Sequence, residues 1–315
     1  MSEQTSRAAA LVVLALAMIA APAFIYPVFV MNAMVMALLA ASFNLVFGYT
    51  GLLSFGHAAF YGIGSYGAAV LLKDSGWPMP LAMVGAVVAA MVAGFVIGGL
   101  AIRRRGIYFA MITLALAEIV HFGIVQWPAA GGENGLQGVP RGSLLWLDLG
   151  SSTTLYYVVL VVITAALALT YRIIHSPFGR ILHAIRDNEP RAVSLGYSVD
   201  RYLLLAMVLS AGLAGLAGAL KTLIFQFATL NDVHWGTSGL AVLACLIGGT
   251  GTFWGPIIGG VILSLLYSLL AESGEWVSLI LGIIFVVCVH LFRDGIVGRA
   301  RAAAGRLKAA TKFTA

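Results

Sequence analysis

Ten apolar runs, each close to the length of a bilayer-crossing helix, constrain this chain more than any other feature of its sequence. Crossing the hydrocarbon takes about 20 mostly apolar residues, because each residue of a helix adds only ~1.5 Å of rise. Bounded by charges, prolines or glycines, the runs fall at approximately 8–25, 28–47, 54–72, 80–102, 106–126, 153–173, 202–222, 236–250, 255–271 and 276–292. The eighth is short and glycine-rich, which predicts a tilted or broken helix. Charged residues make up 10% and hydrophobic residues 61% of the 315, where a soluble domain averages about 25% charged. No soluble core has interior enough to hide that much apolar surface. The 37 glycines exceed the usual ~7%, and small residues let helix backbones approach closely in lipid. The expectation is an all-α polytopic helix bundle of about ten spans, with 1–315 forming one transmembrane domain.

Charge placement orients the bundle. Of the 18 lysines and arginines, 15 fall on one side of this map, among them Arg7, Arg103, Arg104, Arg105, Arg180, Arg186 and Arg191. Only Lys73 and Arg141 fall on the other, and Lys221 sits near a helix end. The positive-inside rule then predicts that both termini and the segment 174–201 are cytoplasmic, with a loop at 127–152 outside. Residues 1–25 also have the features of a signal peptide, and cleavage there would leave nine spans that satisfy the charge rule equally well. The tail 293–315, with Arg299, Arg301, Arg306, Lys308 and Lys312 among alanines, reads either as a topology anchor or as a basic segment lying on anionic lipid.

The sequence argues against chemistry of the chain's own. Cys245 and Cys288 lie in apolar runs without metal-ligand spacing, so neither a metal nor a disulfide is expected. The nearest approach to a phosphate-binding loop, Gly215 to Thr222, has Leu220 before Lys221 and lies in a predicted span. No HExxH, nucleophile elbow or paired carboxylates occur, so no catalytic residue, cofactor or nucleic-acid partner is expected. The GxGxxG at Gly62, Gly64 and Gly67 stands inside an apolar helix without a preceding strand, which makes it a helix-packing feature. Gly251, Gly255 and Gly259 recur every four residues and predict a smooth stripe on one helix face; Gly94 with Gly98, and Gly212 with Gly215 and Gly218, predict the same elsewhere.

Polar residues within or beside spans are the candidates for function. Glu118 and His121 share a helix face in the outer half of the fifth span, either facing a wet cavity where a carboxylate meets an α-ammonium or held by neighbouring helices. Asn44, Ser54 and His57 flank the glycine break between the second and third spans, whose exposed backbone only protein or water can satisfy, so they are expected either to line the translocation cavity or to serve helix packing. Lys221 is expected to snorkel to the outer interface beside Gln226 as an anchor, and His234 and Trp235 are expected to be interfacial. In the segment 174–201, Ile181, Leu182 and Ile185 form one apolar face, predicting a short amphipathic helix that ends before Pro190, with a second helix starting at that proline.

The stretch Asn44 to Ala59, reading NLVFGYTGLLSFGHAA, resembles the signature of branched-chain amino acid ABC importer permeases. Gly131 to Pro140 resembles their outer-loop Gly-Gly motif, and Gly248 to Gly260, reading GGTGTFWGPIIGG, their late glycine-proline motif. Length and the loop from Gly179 to Gly196 resemble the longer of the two paralogous permeases that pair in such importers. The resemblance implies a non-catalytic subunit with two cytoplasmic ATPases, a second permease and a periplasmic substrate-binding protein as partners, embedded in membrane lipid. It also implies that the 174–201 loop docks on the ATPase, with Arg180, Arg186, Glu189, Ala192 and Gly196 in the coupling region. Against the EAAxxxG pattern of such loops, Ala192 and Gly196 align, Pro190 and Arg191 replace the Glu and first Ala, and Glu189 is one residue out of register. A urea or short-chain amide importer shares these signatures, and an ion-coupled secondary transporter is the alternative of another class.

Overall fold

The computed structural model describes residues 13, 16–144, 147–270, 274, 276–291 and 295–298. The cleavage question at the start of the chain and nearly all of the basic tail therefore lie outside the described residues. Twelve helices are labelled here: α1 Pro27–Thr50, α2 His57–Lys73, α3 Met79–Ala101, α4 Ile107–Val125, α5 Ser152–His175, α6 Pro177–Asp187, α7 Glu189–Ser194, α8 Val199–Phe225, α9 Leu230–Val233, α10 Trp235–Gly248, α11 Trp254–Leu270 and α12 Trp276–Leu291. Five of them, α1, α3, α4, α5 and α8, are long and apolar enough to cross a membrane, and α10 and α11 are shorter apolar helices.

Two of the long helices form the centre. Buried residues make up 78% of the apolar window of α1 and 72% of that of α8, against 39% for α3 and 28% each for α4 and α5. A helix that is apolar all round has no polar face to turn outward, and in a bundle it is buried among others or faces lipid. α8 packs on α1, α2 and α3, while α11 packs on α1 and α10. The seam between α2 and α8 is set by glycine, since Gly64 lies against the Gly215 backbone and Gly218 against the Tyr61 carbonyl.

The expected span at 236–250 holds a shortened helix. α10 has 14 residues, a rise of ~21 Å where ~30 Å is needed. The chain leaves α8 at Gln226, forms strand β4 (Phe227–Ala228), turns through α9 and enters α10 after His234. Strand β4 pairs antiparallel with β1 (Leu136–Gln137), Leu136 facing Ala228. A second short ribbon joins β2 (Ser143–Leu144) to β3 (Leu147–Asp148). Lys73 Nζ donates to the Gln137 carbonyl at 2.8 Å, and Arg141 donates to the carbonyls of Gly150 (3.1 Å) and Ile224 (3.0 Å). Of the two cations expected outside, Lys73 thus ties the 127–152 loop to the end of α2, and Arg141 ties it to the end of α8.

Residues 16–24 are helical and lie beside α5. Pro22 has no N–H to offer the Met18 carbonyl four residues back. The Tyr156 hydroxyl donates to that carbonyl at 2.6 Å instead.

Lys221 corrects the sequence expectation. It does not reach an interface: its side chain is 10% exposed, and Nζ lies 2.8 Å from Asp232 Oδ2, whose side chain is 8% exposed. The same carboxylate oxygen accepts from Ser65 Oγ at 2.8 Å and the Thr229 amide at 3.0 Å. A nearby carboxylate stabilises the ammonium more locally than a climb to water would, so the side chain turns inward.

Candidate functional site

The 174–201 segment folds as two short helices against the arginine-rich end of the bundle. α6 starts at Pro177 after Ser176, whose Oγ accepts from the Gly179 amide at 3.4 Å. Leu182 and Ile185 are buried, while Arg180 is exposed on the opposite side. The second helix begins one residue earlier than expected, at Glu189, because Asn188 caps it by accepting from the Arg191 amide at 3.0 Å. Pro190 then occupies the first turn, where no helical N–H is needed. Ala192 is buried, and Gly196, at φ +86°, ends the pair of helices.

Arg105 staples this pair to the bundle. Its Nε donates to both Glu189 oxygens (3.0 and 3.1 Å), and its Nη2 lies 2.7 Å from Asp200 Oδ1 at the start of α8. Burial alone would draw the guanidinium pKa down, but hydrogen bonds and charge from Glu189 and Asp200 hold it above its ordinary value. Glu189 is therefore engaged within the chain. The three side chains are 32%, 37% and 74% exposed, so solvent screening reduces the network to about 1 kcal/mol. Arg105→Ala is expected to speed hydrogen exchange at the α7 amides about fivefold and to leave the middle of α8 unchanged, as read by peptide-level mass spectrometry.

Arg186 connects the segment to the first central helix. Its Nη1 donates to the Gly48 carbonyl in the last turn of α1, where a cation also meets the negative helix end. The His183 ring packs edge-on against Tyr49, centroids 4.9 Å apart. One turn back in α1, Asn44 reads the loop between α10 and α11 with both ends of its amide. Nδ2 donates to the Thr252 carbonyl and Oδ1 accepts from the Gly251 amide, each at 3.0 Å. Gly251 is thus not on a helix stripe: it lies in that loop at φ +72°, before α11 begins at Trp254. Gly255 and Gly259 do lie on α11, where they let it close on Gly248 and Ala244 of α10. Segments distant in sequence, 44–51, 186 and 248–260, form one junction.

Ser54 and His57 are enclosed by protein. Ser210 Oγ donates to the Ser42 carbonyl at 2.6 Å and so accepts from His57 Nε2 at 2.8 Å. Ser54 Oγ accepts from the Gly56 amide at 3.2 Å. The backbone of the 51–56 break is satisfied by Thr113, which accepts from the Phe55 amide, and by Ser238, which donates to the Phe55 carbonyl and accepts from the Ala58 amide. In this conformation neither residue lines an open path.

Glu118 and His121 come together on α4, Oε2 to Nδ1 3.5 Å. They open onto a depression of about 410 Å³ shared with Leu114, His234 and Trp235. The His121 and His234 rings stand nearly perpendicular, centroids 6.0 Å apart. Among the described residues no group of three or more His, Cys, Asp or Glu is placed to hold a metal.

The profile of the family described as "branched-chain amino acid transport system / permease component" matches residues 26–289. The chain belongs to this family. It is 30% identical over 296 residues to the high-affinity branched-chain amino acid transport system permease protein LivM of Salmonella typhimurium, covering 85% of this chain and 69% of that one. The corresponding LivH of Escherichia coli is 29% identical over 285 residues, covering 84% and 91%. The autoinducer 2 import system permease protein LsrC of Salmonella choleraesuis is 27% identical over 229 residues, covering 69% and 63%. No solved structure matches the chain. Family membership and the apolar helices make this permease a multi-pass protein of the inner membrane.

The permease carries long-range contacts that its sequence shows only as single polar letters. Thr113, Ser210 and Ser238 are lone hydroxyls in apolar runs; Thr113 satisfies the Phe55 amide in the 51–56 break, and Ser210 and Ser238 satisfy groups on α2. Asp232 and Arg105 were hidden in what read as loop ends. The available signal was the cost of burying an unpaired polar group, which makes each isolated one a bonding site.

Proposed function

We propose that this chain is one of two permease subunits of an ATP-driven importer for branched-chain amino acids, with ten spans and both termini in the cytoplasm. A periplasmic binding protein delivers the substrate, and two separate ATPases drive the cycle through residues 174–201. The contact of Arg186 with the Gly48 carbonyl carries this reading. Motion of α6 reaches the end of α1 directly, and Asn44 passes it to the loop ahead of α11. Arg180 and Arg191, exposed on α6 and α7, face away from the bundle toward the ATPase. Glu118 and His121 line the translocation path.

Scrambling Phe178 to Leu195 tests the reading in the complex copurified in mild detergent. Membrane insertion is expected to persist and ATP turnover stimulated by the loaded binding protein to fall to background. Normal turnover would sink the proposal. The likeness to LsrC supports a second reading, a cargo other than an amino acid. ATP-driven importer vesicles that take up none of leucine, valine or isoleucine would favour it.

A further inference from the structure

The depression at Glu118 opens on the side of the bundle, well along the length of α4. Glu118 is eleven residues into α4, ~16 Å along a helix that must cross ~30 Å. Trp235 begins α10, whose far end, Gly248, sits beside the Arg186 and Asn44 junction; it stands ~20 Å from that end. Both estimates place the depression within the membrane, in its outer half. The Glu118 side chain is nonetheless 43% exposed, and its enclosed Oε1 has no hydrogen-bond partner among the described residues. A carboxylate with an unpaired oxygen at this depth is costly against lipid, so it calls for water or a polar partner.

The opposite wall of the depression offers a donor. His234 Nδ1 accepts from the Gly236 amide at 3.2 Å, which assigns the proton of the neutral ring to Nε2. Leu114 and the half-exposed Trp235 supply apolar surface between the polar ends. The wall is held in register from behind. Asp232, two residues before His234, is pinned by Lys221, Ser65 and the Thr229 amide. A volume of about 410 Å³ is within the ~300–1,000 Å³ of small-molecule sites.

We propose that Leu114, Glu118, His121, His234 and Trp235 form a transit subsite for a zwitterionic, apolar amino acid. Glu118 receives the α-ammonium group, His234 donates to the α-carboxylate, and the aliphatic side chain lies on Leu114 and Trp235. The assignment rests on the amino-acid reading above and adds the place and polarity of contact.

The test uses the whole importer in proteoliposomes, with radiolabelled leucine and its binding protein, reading uptake and stimulated ATP turnover separately. Glu118→Gln is expected to cut leucine uptake about tenfold or more, the worth of a charge-assisted hydrogen bond, while stimulated ATP turnover stays within about twofold. Glu118→Asp should restore part of the uptake, and Ile119→Ala, on the exposed neighbouring surface, should change neither readout. Unchanged uptake in Glu118→Gln overturns the subsite and leaves the amino-acid reading standing. Loss of uptake and ATP turnover together, with less complex recovered, overturns it in favour of a purely structural carboxylate. Wild-type vesicles that take up no leucine with ATP would remove the amino-acid reading and this subsite with it.

Discussion

Replacing Lys221 with alanine is expected to destabilise the folded bundle by about 3–5 kcal/mol, the usual cost of breaking a buried ion pair by removing one partner. The ammonium lies 2.8 Å from Asp232, 3.3 Å from the Phe227 carbonyl and 4.3 Å from the centre of the Phe227 ring. Without it the carboxylate keeps, among the described residues, the neutral donors Ser65 and the Thr229 amide. The energy comes less from the attraction of the pair than from the charge left behind. The double variant Lys221→Met with Asp232→Asn removes both charges and is expected to lie within about 1 kcal/mol of the wild type. Unfolding in detergent micelles, followed by loss of helical circular dichroism, separates the two cases. A single-variant loss below about 1 kcal/mol would mean that water reaches the pair.

Position in the fold gives this pair its reach. Asp232 ties the single turn α9 to both α8 and α2, and α9 carries β4 on one side and His234 on the other. Loosening it therefore disturbs the strand that anchors the 127–152 loop and the wall facing Glu118 together. The Lys221→Ala variant should lose transport even under conditions where it remains folded.

Hydropathy carried most of the fold because lipid permits few alternatives to a helix. The runs near 28–47, 80–102, 106–126, 153–173 and 202–222 correspond to α1, α3, α4, α5 and α8, and the amphipathic pattern at 181–185 marks α6. Pairings across the bundle were less legible. Asn44 bonds to residues more than 200 positions away, and Arg186 to one 138 away; neither separation leaves a local pattern. The four-residue spacing of Gly251, Gly255 and Gly259 suggested one helix, yet a helix cannot supply the left-handed turn that Gly251 makes. The Lys221 pairing leaves no local pattern for a related reason: its partner follows a strand and a turn, eleven residues later, so no helical spacing relates them.

The glycines Gly62, Gly64 and Gly67 look alike in sequence and are expected to differ sharply when changed to alanine. A methyl on Gly64 would fall within contact distance of the Gly215 oxygen, carbonyl carbon and Cα, all backbone. No side chain can rotate away there, so α2 and α8 must separate. Overpacking costs about 1–3 kcal/mol, and a backbone-against-backbone clash belongs at the upper end of that range. Gly218→Ala meets the same obstacle from the other helix, against the Tyr61 carbonyl. Gly62→Ala should be intermediate, because its methyl would press on Val233 and displace only the single turn α9. At Gly67 the nearest atoms belong to Ala86, at 3.5 and 3.6 Å, an ordinary contact distance. There alanine should be neutral or add up to about 1 kcal/mol through its higher helix propensity. Melting temperatures in detergent should therefore rank Gly67→Ala at or above the wild type, then Gly62→Ala, with Gly64→Ala and Gly218→Ala lowest. Equal losses at Gly64 and Gly67 would show that the α2–α8 seam can slide. The ranked result would identify it instead as a fixed axis of the bundle.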